Sequence, residues 1–157
     1  MDEPIILLVE DNDDDVALTK RALENSHIGN AVVVVSDGQE ALDWLFCTGT
    51  YAGRDPCIQP ALVLLDLGLP KVSGFDVLRR IRENARTRCL PVVVFATSGH
   101  EENVLRSYQL QVNSYIQKPV SYEQFEEAIR QIGAYWLIRN ESPAGRQHEE
   151  DHGKHAA

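Results

Sequence analysis

Short, unbroken apolar runs alternate along the chain with segments whose apolar residues recur every three or four positions. Ile5–Val9, Ala61–Leu65 and Val92–Ala96 are runs of this kind, and Tyr115-Ile116 is a shorter one. Runs that are apolar at every position, rather than at every second one, suit strands covered on both faces, as in a parallel sheet. The helical spacing predicts a helix over 14–26 with Val16 and Leu23 inward, and another over 38–48 with Ala41, Leu42, Leu45 and Phe46 as its stripe. The second helix starts behind Asp37 with Glu40 three residues on, a capping-box-like start. Ser73 with Asp76, Ser98 with Glu101 and Ser121 with Gln124 open three more in the same way. In the last of these, Phe125, Ile129, Ile132 and Trp136 fall on one face.

With a further strand between the first two helices, the order is strand–helix repeated five times. Alternation of this kind implies an α/β fold whose parallel strands are joined by right-handed crossovers. Five strands fit the flavodoxin-like, doubly wound order 2-1-3-4-5, in which ligands bind beyond the carboxyl ends of the strands at the switch point. Each named run ends there in polar residues: Glu10-Asp11, Asp66, Thr97-Ser98, and Lys118-Pro119 after Gln117. Strands 1 and 3 are neighbours in that order, so Glu10, Asp11 and Asp66 are expected to meet.

Three converging carboxylates repel one another unless a cation neutralises them. An all-oxygen, incomplete ligand set favours Mg²⁺, which keeps several of its waters. Asp66 is the expected nucleophile, since a carboxylate can form an aspartyl-phosphate. A hydroxyl and the Lys118 ammonium across the crevice would hold the other phosphoryl oxygens.

The 157 residues suit one domain, over 1–138, followed by a polar tail over 139–157 expected to be disordered. A net charge of −9 argues against non-specific nucleic-acid binding. No apolar stretch approaches the ~20 residues that span a bilayer, and the early first strand leaves no room for a signal peptide. Cys47, Cys57 and Cys89 are an odd set without a CxxC pair, as expected of a reduced, cytoplasmic protein. Residues 47–60 make a connection longer than is usual between such elements.

Leu8-Val9-Glu10-Asp11, Leu65-Asp66-Leu67-Gly68-Leu69-Pro70, Ala96-Thr97-Ser98 and Lys118-Pro119 together resemble the receiver domain of two-component response regulators, the CheY-like family. The resemblance covers about residues 4–137. It implies that Asp66 accepts a phosphoryl group from a histidine kinase's phosphohistidine. It also implies that Asp11, Asp66 and the Gly68 carbonyl ligate Mg²⁺ directly and that Glu10 reaches it through water. By the same resemblance Thr97 and Lys118 contact the phosphate, Tyr115 is the aromatic switch residue, and the Lys118–Pro119 bond is cis. Such a domain promotes its own phosphotransfer and dephosphorylation without being an enzyme of turnover. The 47–60 loop, the Thr97-Ser98-Gly99-His100 helix start and the ending Ala134-Tyr135-Trp136-Leu137 resemble single-domain regulators of phytochrome-type kinases, which dimerise through helix 4, strand 5 and helix 5.

Other residues are read more plainly. Asp13–Asp15 mark a helix start, with Asp14 near enough to tune the metal site. Arg79, Arg80 and Arg82 form a solvated face, His100 lies on the surface, and His148, His152 and His155 are solvated in the tail. Trp136 belongs to the core and Tyr135 is exposed. Two rivals stand against the phosphoacceptor. A haloacid-dehalogenase-type phosphatase wants an acid two residues after its nucleophile, where this chain has Gly68. A pseudo-receiver would bind a partner without phosphorylation, which the complete acid–Thr–Lys set disfavours.

Overall fold

The computed structural model describes residues 4–26, 30–69, 71–96, 101–118 and 121–139. Strands β1 (Ile6–Val9), β2 (Val32–Val35), β3 (Leu62–Asp66), β4 (Val92–Ala96) and β5 (Ser114–Gln117) form one sheet in the order β2-β1-β3-β4-β5. Every pairing is parallel, with Val9 opposite Val35 and Leu65, and Asp66 opposite Phe95. The crossovers carry α1 (Asp13–Asn25), α2 (Gly38–Phe46), α3 (Gly74–Glu83) and α4 (Glu101–Gln109), and α5 (Tyr122–Gly133) follows β5. This is the doubly wound topology that the alternating pattern predicts.

Because successive strand residues point to opposite faces, each fully apolar run feeds two cores. Leu7, Val9, Val63, Leu65, Val92 and Val94 pack with Ala41, Leu42 and Leu45 of α2 and Val77, Leu78 and Ile81 of α3. Ile6, Leu8, Leu62, Leu64, Val93 and Phe95 pack with Ala22 and Leu23 of α1 and Ile129 and Ile132 of α5. Phe125 and Trp136 close the second core as the helical stripe predicts, and Phe125 meets Phe95 at 5.9 Å between ring centres.

The expected caps are present where they are described. Asp37 Oδ1 accepts from Glu40 N at 2.8 Å, while Glu40 Oε2 accepts from Ser36 N at 3.0 Å. Ser73 and Ser121 accept from Asp76 N and Gln124 N. The Ser98 cap lies outside the described residues. At α1 the cap is Asn12, whose Oδ1 accepts from Asp15 N, so all three aspartates fall within the first turn, where the helix dipole favours them.

The structure corrects one reading of α3 and adds detail to the long connection before β3. Arg82 is half-buried rather than part of a solvated face. It donates to the carbonyls of Gln111, Arg88 and Leu90 and to Asn113 Oδ1, tying the end of α3 to the loops on either side of β4 and α4. Arg79 is solvated as expected, with only exposed ion pairs to Asp76 and Glu83. The long 47–60 connection is also ordered. It makes a 3-10 turn over Gly49–Tyr51, and Arg54 lies 3.8 Å from the centre of the Trp44 ring while donating to the Trp44 carbonyl at 2.7 Å. An orphan carbonyl at the end of α2 is thereby satisfied. After α5 the backbone passes into a π-helical turn over Ala134–Arg139, which helical spacing did not foretell.

The start of α3 is pressed against the end of β3. A Cβ on Gly74 would stand 2.7 Å from both the Asp66 carbonyl oxygen and Leu67 Cα, backbone that cannot swing aside. Gly74→Ala should therefore destabilise the domain by ~1–3 kcal/mol, the range for overpacking. Urea denaturation of the two proteins measures it, and an unchanged midpoint would show that α3 can shift freely.

Candidate functional site

β1 and β3 lie side by side, so their carboxyl ends deliver Glu10, Asp11 and Asp66 to one place. Oxygens of the three carboxylates lie within 4.8 Å of one another. Glu10 and Asp66 are buried and Asp11 is exposed. Asp66 is held in orientation by Gly68 N, which donates to its Oδ1 at 3.0 Å, and Glu10 Oε1 accepts from Asn12 N at 3.2 Å.

Lys118 reaches the same crevice from the end of β5, where its backbone N–H bonds the Ala96 carbonyl at 2.7 Å. Its Nζ lies 3.1 Å from Glu10 Oε2, 3.4 Å from Asp66 Oδ2 and 2.8 Å from Asp15 Oδ2. Of the predicted residues, Glu10, Asp11, Asp66 and Lys118 are thus brought together. Gly68 adjoins Asp66. Tyr115 is half-buried on β5 against the α2–α3 core, and burial raises the pKa of its phenol. Thr97 and Pro119 lie outside the described residues, and with them the hydroxyl's position and the geometry of the Lys118–Pro119 bond.

Asp15, not Asp14, is the helix-start aspartate that enters the site. The signal for it was available: Asp15, Thr19, Ala22 and Leu23 share the inner side of α1, and the last three are buried.

The electrostatics follow from one ammonium among several carboxylates. Burial, then repulsion from Asp66, raises the Glu10 pKa from 4.5 to about 7, with Lys118 opposing in part. Burial works against the Lys118 charge, but hydrogen bonding to Asp15 and attraction to Asp66 and Glu10 outweigh it and hold its pKa above the ordinary value. Two carboxylates ~5 Å apart repel by about 3 kcal/mol at an effective dielectric of ~20. A divalent cation relieves that repulsion, and an all-oxygen, open donor set suits a hard one.

Residues 6–130 match the family of response regulator receiver domains. The chain belongs to that family. The receiver is 42% identical to the probable methanogenesis regulatory protein FilR2 of Methanothrix harundinacea, over 88% of this chain and 87% of FilR2. Its identity to response regulator Rcp1 of a Synechocystis species is 36%, over 89% of this chain and 93% of Rcp1. Among solved structures, the phosphorylated cyanobacterial phytochrome response regulator RcpA superposes with a TM-score of 0.83 at 40% identity, covering 90% of this chain and 99% of that one. The Mn²⁺-bound form of Rcp1 superposes at 0.82 with 36% identity, covering 89% and 99%. The receiver is therefore a signalling domain. No helix among the described residues is long and apolar enough to cross a membrane.

Glu10 gives a pH test. Its folded pKa lies above the ordinary 4.5, so its contribution to stability is full below about 4.5 and is lost as pH rises toward and through about 7. Without added metal, the urea midpoint should fall across that window, and Glu10→Gln should flatten the fall. Saturating Mg²⁺ should reverse the trend by favouring the carboxylate. An equal fall in wild type and Glu10→Gln would move the effect elsewhere.

Proposed function

We propose that the receiver accepts a phosphoryl group on Asp66 from the phosphohistidine of a sensor histidine kinase, and that Mg²⁺ is the required ion. The carrying observation is the position of Asp66: buried at the end of β3, fixed by Gly68 N, within 4.8 Å of the Glu10 and Asp11 carboxylates and 3.4 Å from the Lys118 ammonium. The phosphorylated RcpA and Mn²⁺-bound Rcp1 structures support the same chemistry.

In the transfer, an Asp66 carboxylate oxygen attacks phosphorus, the P–N bond to the kinase's imidazole breaks, and the electron pair stays on the imidazole nitrogen. Lys118 supplies a charge-assisted hydrogen bond to a phosphoryl oxygen, and the Thr97 hydroxyl is the expected second contact, by the family resemblance. Glu10, Asp11, Asp66 and the Gly68 carbonyl are the groups that would hold Mg²⁺, whose charge offsets that of the phosphoryl oxygens when bound. The same groups promote later hydrolysis, so the domain sets its own signal lifetime. Gly68 leaves the place two residues after the acceptor without the acid that a dehalogenase-type phosphatase needs.

Output passes through the face of α4, β5 and α5. Leu105 and Tyr108 of α4 and Tyr135 after α5 are large, exposed apolar side chains there, and β5 is an edge strand. Movement of Thr97 toward the phosphate and of Tyr115 inward couples the crevice to this face as one two-state element. Homodimerisation through it, tightened by phosphorylation, is the expected readout. A phytochrome-type kinase is the expected donor, by likeness to RcpA. Cys47, Cys57 and Cys89, all free thiols, fit a reducing, cytoplasmic setting.

Incubation with a small phosphodonor and Mg²⁺ should add one phosphoryl group to the wild-type chain by intact mass and none to Asp66→Asn, and Asp11→Ala should label far more slowly. Labelling of Asp66→Asn at the wild-type rate would overturn the assignment, and no labelling of any form would favour a pseudo-receiver. In sedimentation, beryllofluoride should shift wild type toward dimer. A monomer at high concentration with and without it would leave the α4–β5–α5 face to the kinase or a downstream target.

A further inference from the structure

Asp15 lies outside the Glu10–Asp11–Asp66 cluster, yet it makes the shortest contact of the Lys118 ammonium: 2.8 Å, against 3.1 Å to Glu10 and 3.4 Å to Asp66. It is presented from a rigid element. Its backbone N–H is capped by Asn12 Oδ1 at 3.1 Å, and its carbonyl accepts from Thr19 Oγ1 at 2.7 Å, with Thr19 buried beneath it. Asp14, one residue earlier on the same turn, is exposed and is not among the three carboxylates that Lys118 meets.

An ammonium has three donors, and here they are divided among three carboxylates. Once Asp66 carries a phosphoryl group, each donor given to a phosphoryl oxygen must leave one of those partners. Asp66 and Glu10 then have other calls on them, the acyl-phosphate bond and the bound cation. Asp15 has neither, so it is the carboxylate that continues to compete for Lys118.

We propose that Asp15 is a positioning residue that holds the Lys118 ammonium toward α1 in the unphosphorylated receiver and sets how readily it transfers to the phosphoryl oxygens. The proposal rests on the reading of Asp66 as acceptor and Lys118 as phosphate contact.

The test uses the full chain with Mg²⁺ and beryllofluoride, titrated by calorimetry, and compares wild type, Asp15→Asn and Asp14→Asn, alone and combined with Lys118→Gln. Asn keeps the size and an acceptor oxygen but removes the charge. Asp15→Asn should tighten binding of the phosphate mimic about two- to fivefold, the scale of one partly solvated ion pair. Asp14→Asn, with the same charge change and no contact to Lys118, should leave it unchanged. Asp15→Asn should add nothing in the Lys118→Gln background, because the cycle isolates the pair. An Asp15→Asn protein that binds the mimic no tighter than wild type, an equal gain from Asp14→Asn, or a gain that persists with Lys118→Gln would each overturn the positioning role. Failure of wild type itself to bind the mimic would instead overturn the phosphoacceptor reading on which the proposal stands.

Discussion

The arrangement turns on an imbalance of charge at the sheet's carboxyl edge. One ammonium, Lys118, faces Glu10, Asp15 and Asp66, and Asp11 adds a further carboxylate at the rim. Burial, then repulsion from Asp66, drives Glu10 toward a neutral form near pH 7, and hydrogen bonding to Asp15 with attraction to Asp66 and Glu10 keeps Lys118 charged. A site left short of positive charge is prepared for a divalent cation. Holding its lone ammonium among several carboxylates, it can also re-partner that ammonium when a new anion arrives.

The sheet order explains why these groups meet at all. β1 and β3 are sequence-distant but adjacent, which juxtaposes Glu10-Asp11 with Asp66 across a single strand spacing. β5 lies two strands beyond β3, and the long Lys118 side chain spans that gap. Tight packing behind the site fixes it further: Gly74 lets α3 start directly against the Asp66 backbone, and the two cores clamp β3 and β4 on both faces with fully buried side chains. Asp66 is therefore mounted at the end of a central strand buried on both faces, while Lys118 comes from the end of an edge strand.

The fold was legible because most of its strands are short apolar runs punctuated by capped helices, so period and length pointed the same way. Most of the acidic crevice was legible for a related reason: the polar residues stand immediately after the apolar runs, where topology alone decides their neighbours. Asp15 was not singled out because a run of three aspartates reads equally well as a dipole-stabilised helix start, and only the rotation of α1 separates Asp15 from Asp14. Arg82 was misread because its stem leaves α3 beside exposed Arg79, and its partners, the carbonyls of Arg88, Leu90 and Gln111, are backbone groups that no side-chain pattern announces. The order of the 47–60 loop likewise depends on Arg54 finding the Trp44 ring and carbonyl, a contact made across a turn without periodic signal.

The most direct measurement of the central claim is calorimetric titration of Mg²⁺ into the receiver near pH 7, in buffers of different ionisation enthalpy. If the acidic crevice is the cation site and Glu10 is partly protonated there, binding will release a fraction of a proton per ion, and the affinity will rise as pH goes from 6 to 8. In Glu10→Gln the proton release will vanish while binding persists in weaker form. A wild-type affinity independent of pH with no proton release, or release that survives Glu10→Gln, would contradict the account.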